Sequence, residues 1–260
     1  MYITIMTAYP KIHRPTAATL LALAALAVIA GGCGKTAERN DAAPAADTVQ
    51  TAAAAATATL DTVSGTFTDS RDGKTYRTVK IGNQMWMAEN LNYKTGKSVC
   101  YDKKKSNCQK YGRLYDWNTA MKACPAGWHL PSDKEWTALT DFVGGEDTAG
   151  TKLKSKTGWY PMDTGYKAAT DDYGFSALPG GVGYRRIFYY GFTLPGDFDY
   201  GHNFHRAGYR GNWWSATENG ASLAWYRCMC YYDDPGVGRD NNDKTDLYSV
   251  RCLRDFAAPQ

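Results

Sequence analysis

Two cysteines and two histidines have the types and spacing that could serve chemistry in this 260-residue chain: Cys228, Cys230, His202 and His205. In a strand, the two sulfur atoms would point to the same face, because side chains alternate along a strand. Three states are open: a strained bridge between the two cysteines, thiols that are free or paired elsewhere, and a metal or redox site. Together with the imidazoles the thiols would form a ligand set for a soft metal, although loop histidines are more often solvated or hydrogen-bonded.

Other catalytic patterns are missing from the sequence. It has no Gly-x-Ser-x-Gly nucleophile motif, no phosphate-binding loop and no His-Glu-x-x-His zinc motif. Its carboxylates show no pairing that indicates a glycosidase dyad. His129 lies in a Gly-Trp-His-Leu-Pro segment, where a structural role is expected. The sequence therefore favours a protein that is not an enzyme, with no catalytic residue assigned.

Oxygen-bearing side chains crowd the stretch between Asp233 and Asp246. Calcium prefers such ligands, but the spacing of Asp and Asn does not match an EF-hand loop. A turn-rich hairpin, in which these side chains accept hydrogen bonds from their own backbone, explains the composition as well. We expect no cofactor and no metal ligand, with calcium as the alternative.

Aromatic residues are concentrated in a glycine-rich segment from Tyr184 to Trp214. Rigid aromatic side chains on loops provide contact area at low entropic cost, so they suit ligand binding and stacking on sugar rings. The competing interpretation is that many of them build the core beneath the loops. The candidate ligand-binding residues are Tyr184, Tyr189, Tyr190, Tyr200, Tyr209 and Trp213.

The elements that must position these residues combine strands and helices. Turn signals at Asp72-Gly73 and Gly82-Asn83 predict a strand over residues 74–81 and a returning strand at Met85-Trp86-Met87. Further strands are predicted over residues 223–232 and 247–253. One helix is expected over residues 115–123. A second begins with the capping box Ser132-x-x-Glu135 and ends at Gly144-Gly145. This order predicts an α+β fold.

The first 32 residues have the pattern of a secretory signal. Basic residues precede an apolar run over residues 17–30, which is shorter than the roughly 20 residues that cross a bilayer. The run ends in Ile29-Ala30-Gly31-Gly32-Cys33, which resembles the lipobox of bacterial lipoproteins. That resemblance implies cleavage before Cys33 and its lipidation, and Gly34 weakly favours the outer membrane.

A tether and one domain follow the signal. Residues 33–64 are mostly Ala, Thr and Asp, a composition that cannot bury enough apolar surface to fold. Residues 65–255 form the domain and 256–260 a short tail. Two of the 30 basic residues precede Cys33, so the mature chain carries 28 − 26 = +2 charges. No basic block is longer than three residues, which argues against a nucleic-acid partner.

Six ordered motifs resemble the Fibrobacter succinogenes major paralogous domain over roughly residues 65–255. They are Asp72-Gly73-Lys74-Thr75-Tyr76 with Lys80-Ile81-Gly82-Asn83-Gln84, Tyr111-Gly112-Arg113-Leu114-Tyr115, Cys124-Pro125 with Gly127-Trp128-His129-Leu130-Pro131-Ser132, Tyr173-Gly174-Phe175-Ser176-Ala177-Leu178-Pro179, Trp214-Ser215-Ala216-Thr217-Glu218, and Ser249-Val250-Arg251-Cys252. Two of these motifs also resemble the wider C-type-lectin-like group. The resemblance implies two helices packed on a small twisted antiparallel sheet with long loops, in a secreted or lipid-anchored protein without an assigned activity.

The six cysteines beyond Cys33 are an even number, as expected for a disulfide framework in an exported chain. Cys100 and Cys108 flank a short polar loop and are expected to pair locally. The lectin-like resemblance implies a long-range bridge between Cys124 and Cys252. Spacing alone settles neither pair, and it leaves Cys228 and Cys230 as further candidates.

Three functions compete at this level. The first is a non-catalytic lipid-anchored envelope protein that binds a polysaccharide or a surface protein. The second is a lectin-fold oxidase that uses Cys228 and Cys230 with a metal, and the third is a purely structural envelope protein. The expected partners are the membrane, through the anchor, and the bound ligand.

Overall fold

The computed structural model describes residues 64–160, 169–184, 188–189, 192–193, 203–231 and 234–255, with only the backbone described at 188–189, 192–193 and 255. Within these ranges, helices and mostly antiparallel strands form a mixed structure, so the predicted α+β class is confirmed. Cys33, Tyr190, Tyr200 and His202 lie outside the described residues.

The smaller of the two main sheets has the strand order β1-β2-β3-β14 and is antiparallel throughout. The turn between β2 and β3 contains Gly82 at φ +59°, a left-handed conformation that favours glycine. This hairpin confirms the strands predicted around residues 74–81 and 85–87. The strands are β1 (Ser64–Thr68), β2 (Thr75–Ile81), β3 (Gln84–Met87) and β14 (Leu253–Asp255).

The larger sheet has the order β12-β11-β10-β13-β5-β4 and contains the two longest strands of the described residues. Strands β10 and β11 pair antiparallel, with Arg210 opposite Cys230 and Asn212 opposite Cys228. Side chains two residues apart on a strand point to the same face. Arg210, Asn212, Cys228 and Cys230 therefore lie on one face of this sheet. Its strands are β4 (Ser98–Val99), β5 (Leu114–Tyr115), β10 (Arg210–Glu218), β11 (Leu223–Cys230), β12 (Gly238–Asp243) and β13 (Tyr248–Ser249).

Short strand pairs lie in the segment between residues 182 and 205. Strand β6 pairs with β9, and β7 pairs with β8. The backbone of β6 also contacts the larger sheet, because Gly181 donates to the carbonyl oxygen of Arg210 at 2.8 Å. The strands are β6 (Val182–Tyr184), β7 (Phe188–Tyr189), β8 (Phe192–Thr193) and β9 (Asn203–His205).

The helices follow the predicted signals in part. Helix α3 begins at the predicted capping box, in which the hydroxyl of Ser132 accepts from the amide of Glu135 and the Glu135 carboxylate accepts from the amide of Ser132. The helix predicted over residues 115–123 is shorter, because Tyr115 belongs to β5 and Asp116 caps the helix that follows. The helices are α1 (Lys105–Tyr111), α2 (Trp117–Ala120), α3 (Asp133–Phe142) and α4 (Glu146–Leu153).

Helix α4 was not predicted, and Gly150 in its middle explains the omission. Glycine is a weak helix former, so the local sequence does not indicate a helix here. In the structure, a Cβ at this position would lie 2.2 Å from the carbonyl oxygen of Gly236. The helix is therefore stabilised by close contact with a distant segment. None of the described helices has the length and apolar character needed to cross a membrane.

The core is built largely from aromatic side chains. Around α3, the rings of Trp86 and Trp136 lie 4.9 Å apart between centroids. On the other side of the larger sheet, Trp214 and Tyr248 lie 4.3 Å apart. Each of these four side chains is fully buried. Many of the aromatic residues in the sequence therefore stabilise the fold as core residues and do not form a surface.

The strand predicted over residues 247–253 is wrong in one respect, because two short strands of different sheets replace it. Strand β13 pairs with β5 and β10, whereas β14 pairs with β3. Between them, the carbonyl oxygens of Val250 and Cys252 accept from the amides of Leu91 and Met87. The chain changes sheets here because these carbonyls bond to the end of β3 and to the segment that follows it.

Candidate functional site

Three tyrosines from separate parts of the chain form an exposed cluster, which we call the tyrosine platform: Tyr160, Tyr209 and Tyr231. The rings of Tyr160 and Tyr209 are stacked, with centroids 4.7 Å apart and planes inclined by 28°. The ring of Tyr231 meets that of Tyr209 edge-on at 6.3 Å. Tyr160 is 54 % exposed and Tyr209 is 40 % exposed. The platform thus presents aromatic faces to solvent.

Backbone hydrogen bonds position the three rings. The amide of Tyr160 donates to the carbonyl oxygen of Gly208 at 2.7 Å, and the amide of Tyr231 donates to that of Tyr209 at 2.6 Å. Gly208 has φ +87°, and a Cβ there would lie 2.2 Å from Cε2 of Tyr160. A side chain at position 208 would therefore clash with the stacked ring, so the platform requires glycine at this turn.

Lys154 stabilises the backbone next to the platform. Its side chain is fully buried, and its ammonium donates to the carbonyl oxygens of Cys230 at 2.7 Å, of Tyr231 and of Asp234. The same ammonium lies 5.0 Å from the ring centre of Trp159, the neighbour of Tyr160. One cation therefore fixes the backbone on which two members of the platform are carried.

The hydrogen bonds of Lys154 are also relevant to calcium binding. Carbonyl oxygens suit Ca²⁺, but the three near Lys154 already accept from its ammonium. The Asp and Asn side chains of this region mostly accept from neighbouring amides, as Asp234 does from Gly236 at 3.0 Å. Residues 238–243, in the stretch expected to be a turn-rich hairpin, form strand β12, which pairs antiparallel with β11. Within the described ranges, no group of three or more His, Cys, Asp or Glu residues could hold a metal ion.

Two cations border the platform. Nη1 of Arg206 donates to the hydroxyl of Tyr231 at 3.4 Å. A hydrogen bond with Tyr111 raises the pKa of Lys110, and the charge of Lys110 also acts on Tyr160. Both cationic side chains are exposed, so the rim of the platform is electropositive at neutral pH.

The aromatic candidates from the sequence divide between surface and core. Tyr209 lies on the platform. Tyr184 is half-buried 5.8 Å from the ring of His205, and burial raises its pKa. Trp213 is fully buried and donates from Nε1 to Oδ1 of Asn90 at 2.8 Å, so its prediction as a binding residue is wrong. Only the backbone of Tyr189 is described, in β7, while Tyr190 and Tyr200 lie outside the described residues.

Tyr160 and Tyr231 were missed by the sequence analysis. Tyr160 lies outside the aromatic-rich segment, and Tyr231 directly follows the predicted strand that carries the two cysteines. No local pattern distinguishes either tyrosine from a buried one. What identifies them is that three segments come together in three dimensions. Spacing in the chain does not reveal this proximity.

Two predicted disulfides are confirmed: Cys100 is bridged to Cys108 and Cys124 to Cys252. The strained bridge considered between Cys228 and Cys230 is wrong, because no disulfide joins these two residues in the structure. Both residues lie on the regular strand β11. Cα atoms two residues apart on a strand are about 6.8 Å apart, at the upper limit for a disulfide.

The remaining candidates have local roles. Nε2 of His129 lies 2.9 Å from Oε1 of Glu135, and the backbone of His129 pairs with Leu253. These contacts agree with the structural role expected for His129. His205 is exposed on β9, and its predicted partner His202 lies outside the described residues.

The comparison with protein families decides the relationship. The model of the Fibrobacter succinogenes major domain matches residues 79–254, more than half of the chain. The chain belongs to this family. The matched Fibrobacter major domain runs from within β2 to β14 and includes all three platform tyrosines. Neither the curated proteins nor the solved structures contain a match to the chain.

Proposed function

We propose that this protein is a lipid-anchored envelope protein whose Fibrobacter major domain, with a C-type-lectin-like fold, binds a polysaccharide through the tyrosine platform. The observation that carries the proposal is the exposed stack of Tyr160 on Tyr209. Binding of a surface protein is the alternative occupant of the same surface.

The tyrosine platform is both exposed and rigid. The apolar face of a sugar ring packs on an aromatic face, and each buried ring contributes through area and through its quadrupole. The platform is fixed by backbone hydrogen bonds and by Lys154, so little entropy is lost on binding. Exposed tyrosine hydroxyls are available to donate to sugar hydroxyls.

The oxidase hypothesis has less support. Cys228 and Cys230 are both buried on β11, which separates their sulfur atoms from a soluble substrate. The structural-protein hypothesis offers no reason for an aromatic stack that faces solvent. Polysaccharide binding accounts for this feature.

The anchor is tested by replacing the lipidated cysteine. We expect Cys33→Ala to abolish incorporation of a labelled fatty acid and to move the protein from the membrane to the soluble fraction, because stable anchoring needs the acyl chains. The control Gly34→Ala keeps the cysteine and should remain with the membrane. Membrane retention of unlabelled Cys33→Ala would contradict the anchor.

Ligand binding is tested with the mature full-length protein in pull-downs on a panel of neutral and acidic polysaccharides, with and without calcium. We expect retention by at least one polymer without calcium, because stacking of a sugar ring on an aromatic face needs no metal ion. Tyr160→Ala and Tyr209→Ala should each weaken retention about tenfold, equivalent to about 1.4 kcal/mol.

Phe142 provides the matched control for this experiment. It is as exposed as Tyr160, at 54 %, but lies on α3 beside Tyr173. Phe142→Ala should bind like the unaltered protein. Equal losses in all three variants, or no retention by any polymer, would refute the proposed site.

A further inference from the structure

Strands β10 and β11 carry a second cluster, the Arg210 cluster, which consists of Arg210, Asn212 and Tyr226. Arg210 and Asn212 project from one face of the sheet because they are two residues apart on β10. Arg210 is only 8 % exposed, and Asn212 is fully buried. Neither residue contacts the tyrosine platform through a described hydrogen bond, so this cluster is a separate feature.

One hydrogen-bond donor of the cluster has no partner among the described residues. Nε of Arg210 donates to Oδ1 of Asn212 at 2.8 Å, and Nη2 donates to the hydroxyl of Tyr226 at 3.3 Å. Because Nε can only donate, the amide of Asn212 must turn its oxygen toward Arg210 and its nitrogen away. Nδ2 of Asn212 is buried and has no hydrogen-bond partner among the described residues. Such a buried donor is costly to leave unpaired.

The charge of Arg210 is likewise uncompensated by direct contact. None of the described ion pairs includes Arg210. One acidic link is indirect, since the hydroxyl of Tyr226 lies 3.4 Å from a carboxylate oxygen of the exposed Asp240. Burial lowers the pKa of Arg210, but the nearby ionisable groups Cys230, Tyr226 and Tyr184 outweigh this effect and raise the pKa above its ordinary value, so Arg210 keeps its charge. A buried cation without an anion in contact is unfavourable.

We propose that Arg210 and Asn212 form a binding site for a carboxylate group. One cation and one amide donor match a planar anion of single charge, and guanidinium N–H groups fit carboxylate geometry. A doubly charged phosphate would require a second cation, which the cluster lacks. The carboxylate belongs to a uronic acid sugar or to a small organic acid, and the inference is independent of polysaccharide binding at the tyrosine platform.

The test follows the side-chain amide of Asn212 by NMR while glucuronate is added to the mature protein at constant ionic strength. We expect a saturable shift of this signal with glucuronate and none with glucose. Acetate serves as the second arm: equal binding assigns recognition to the carboxylate alone, whereas tighter binding of glucuronate adds a contribution from the sugar ring. No saturable shift with either anion at millimolar concentration would overturn the proposal.

The isosteric variant Asn212→Asp tests the same idea from within the protein. A carboxylate at position 212 would pair with Arg210, so we expect a higher Tm and at least about tenfold weaker binding of the added anion. Asn219→Asp, at the turn after β10, is the control and should change neither property. A lower Tm for Asn212→Asp, together with a lower Tm for Cys230→Ala, would show that the thiolate of Cys230 already neutralises Arg210 and would overturn the proposal.

Discussion

Replacing Cys124 and Cys252 together by alanine should lower the free energy of unfolding by about 5 kcal/mol. The bridge closes a loop with a sequence separation of 128 residues, and it joins the end of the α2 region to the start of β14. Its removal restores the entropy of this long loop to the unfolded chain. Equilibrium unfolding in urea under non-reducing conditions measures the effect. Domains of this kind are stable by only about 5–15 kcal/mol, so the loss would be between about a third and all of the total stability.

The second bridge is the internal control. Cys100 and Cys108 are separated by eight residues, and the same entropy relation gives about 2.5 kcal/mol for their removal. The two double variants should therefore differ by about 2 kcal/mol. Equal losses of stability would show that loop length does not govern the contribution of these bridges.

Arg251→Met should lower the free energy of unfolding by about 3–5 kcal/mol, the range for breaking a buried charged network. The guanidinium is fully buried and donates to Oδ1 of Asn90 at 2.8 Å, to the carbonyl oxygen of Met87 at 3.2 Å and to that of Phe175. Methionine has a similar length but no donor, so these oxygens would lose their partner. Urea unfolding of the variant measures the loss.

Arg254 offers the matched control for this prediction. It is an exposed arginine on the neighbouring strand β14, and Arg254→Met should change the stability by less than about 0.5 kcal/mol. Burial lowers the pKa of Arg251 to about 9, which leaves it protonated at neutral pH. A loss for Arg251→Met as small as that for Arg254→Met would refute its role as the centre of the network.

Asn90 explains why this network has a large expected effect. Its Oδ1 accepts from both Arg251 and Trp213, while its Nδ2 donates to the carbonyl oxygen of Tyr111 at 2.9 Å. Four parts of the chain therefore meet at the side-chain amide of Asn90: the segment after β3, the end of α1, strand β10 and the chain before β14. Loss of Arg251 would disturb the junction between all four segments.

The elements that the sequence predicted well depend on neighbouring residues. The β2–β3 hairpin has its turn signal at Gly82, and α3 has its capping box between Ser132 and Glu135. The Cys100–Cys108 bridge closes a short loop. In each case the stabilising interactions join residues a few positions apart, so the pattern in the chain contains them.

Other elements depended on contacts that no local pattern contains. Helix α4 exists although Gly150 weakens it, because Gly236 approaches its backbone closely. The chain over residues 247–253 divides between two sheets because β13 and β14 find different partners. Helix and strand propensities and hydrophobic periodicity predict neither feature, because the contacting segments are distant in sequence.

The amino-acid sequence by itself determined the α+β class, the family motifs and the presence of an aromatic-rich segment. It favoured the local Cys100–Cys108 bridge, whereas the Cys124–Cys252 bridge followed only from the family resemblance. Only the tertiary structure decided which aromatic rings reach solvent. Trp213 and Tyr209 belong to the same glycine-rich segment, yet Trp213 is fully buried and Tyr209 is 40 % exposed. The difference arises because α3 and the segment after β3 cover Trp213, whereas Tyr209 packs beside Tyr160 and Tyr231 at the end of the sheet. Exposure is set by segments far apart in the chain, and therefore a surface for a ligand cannot be inferred from composition alone.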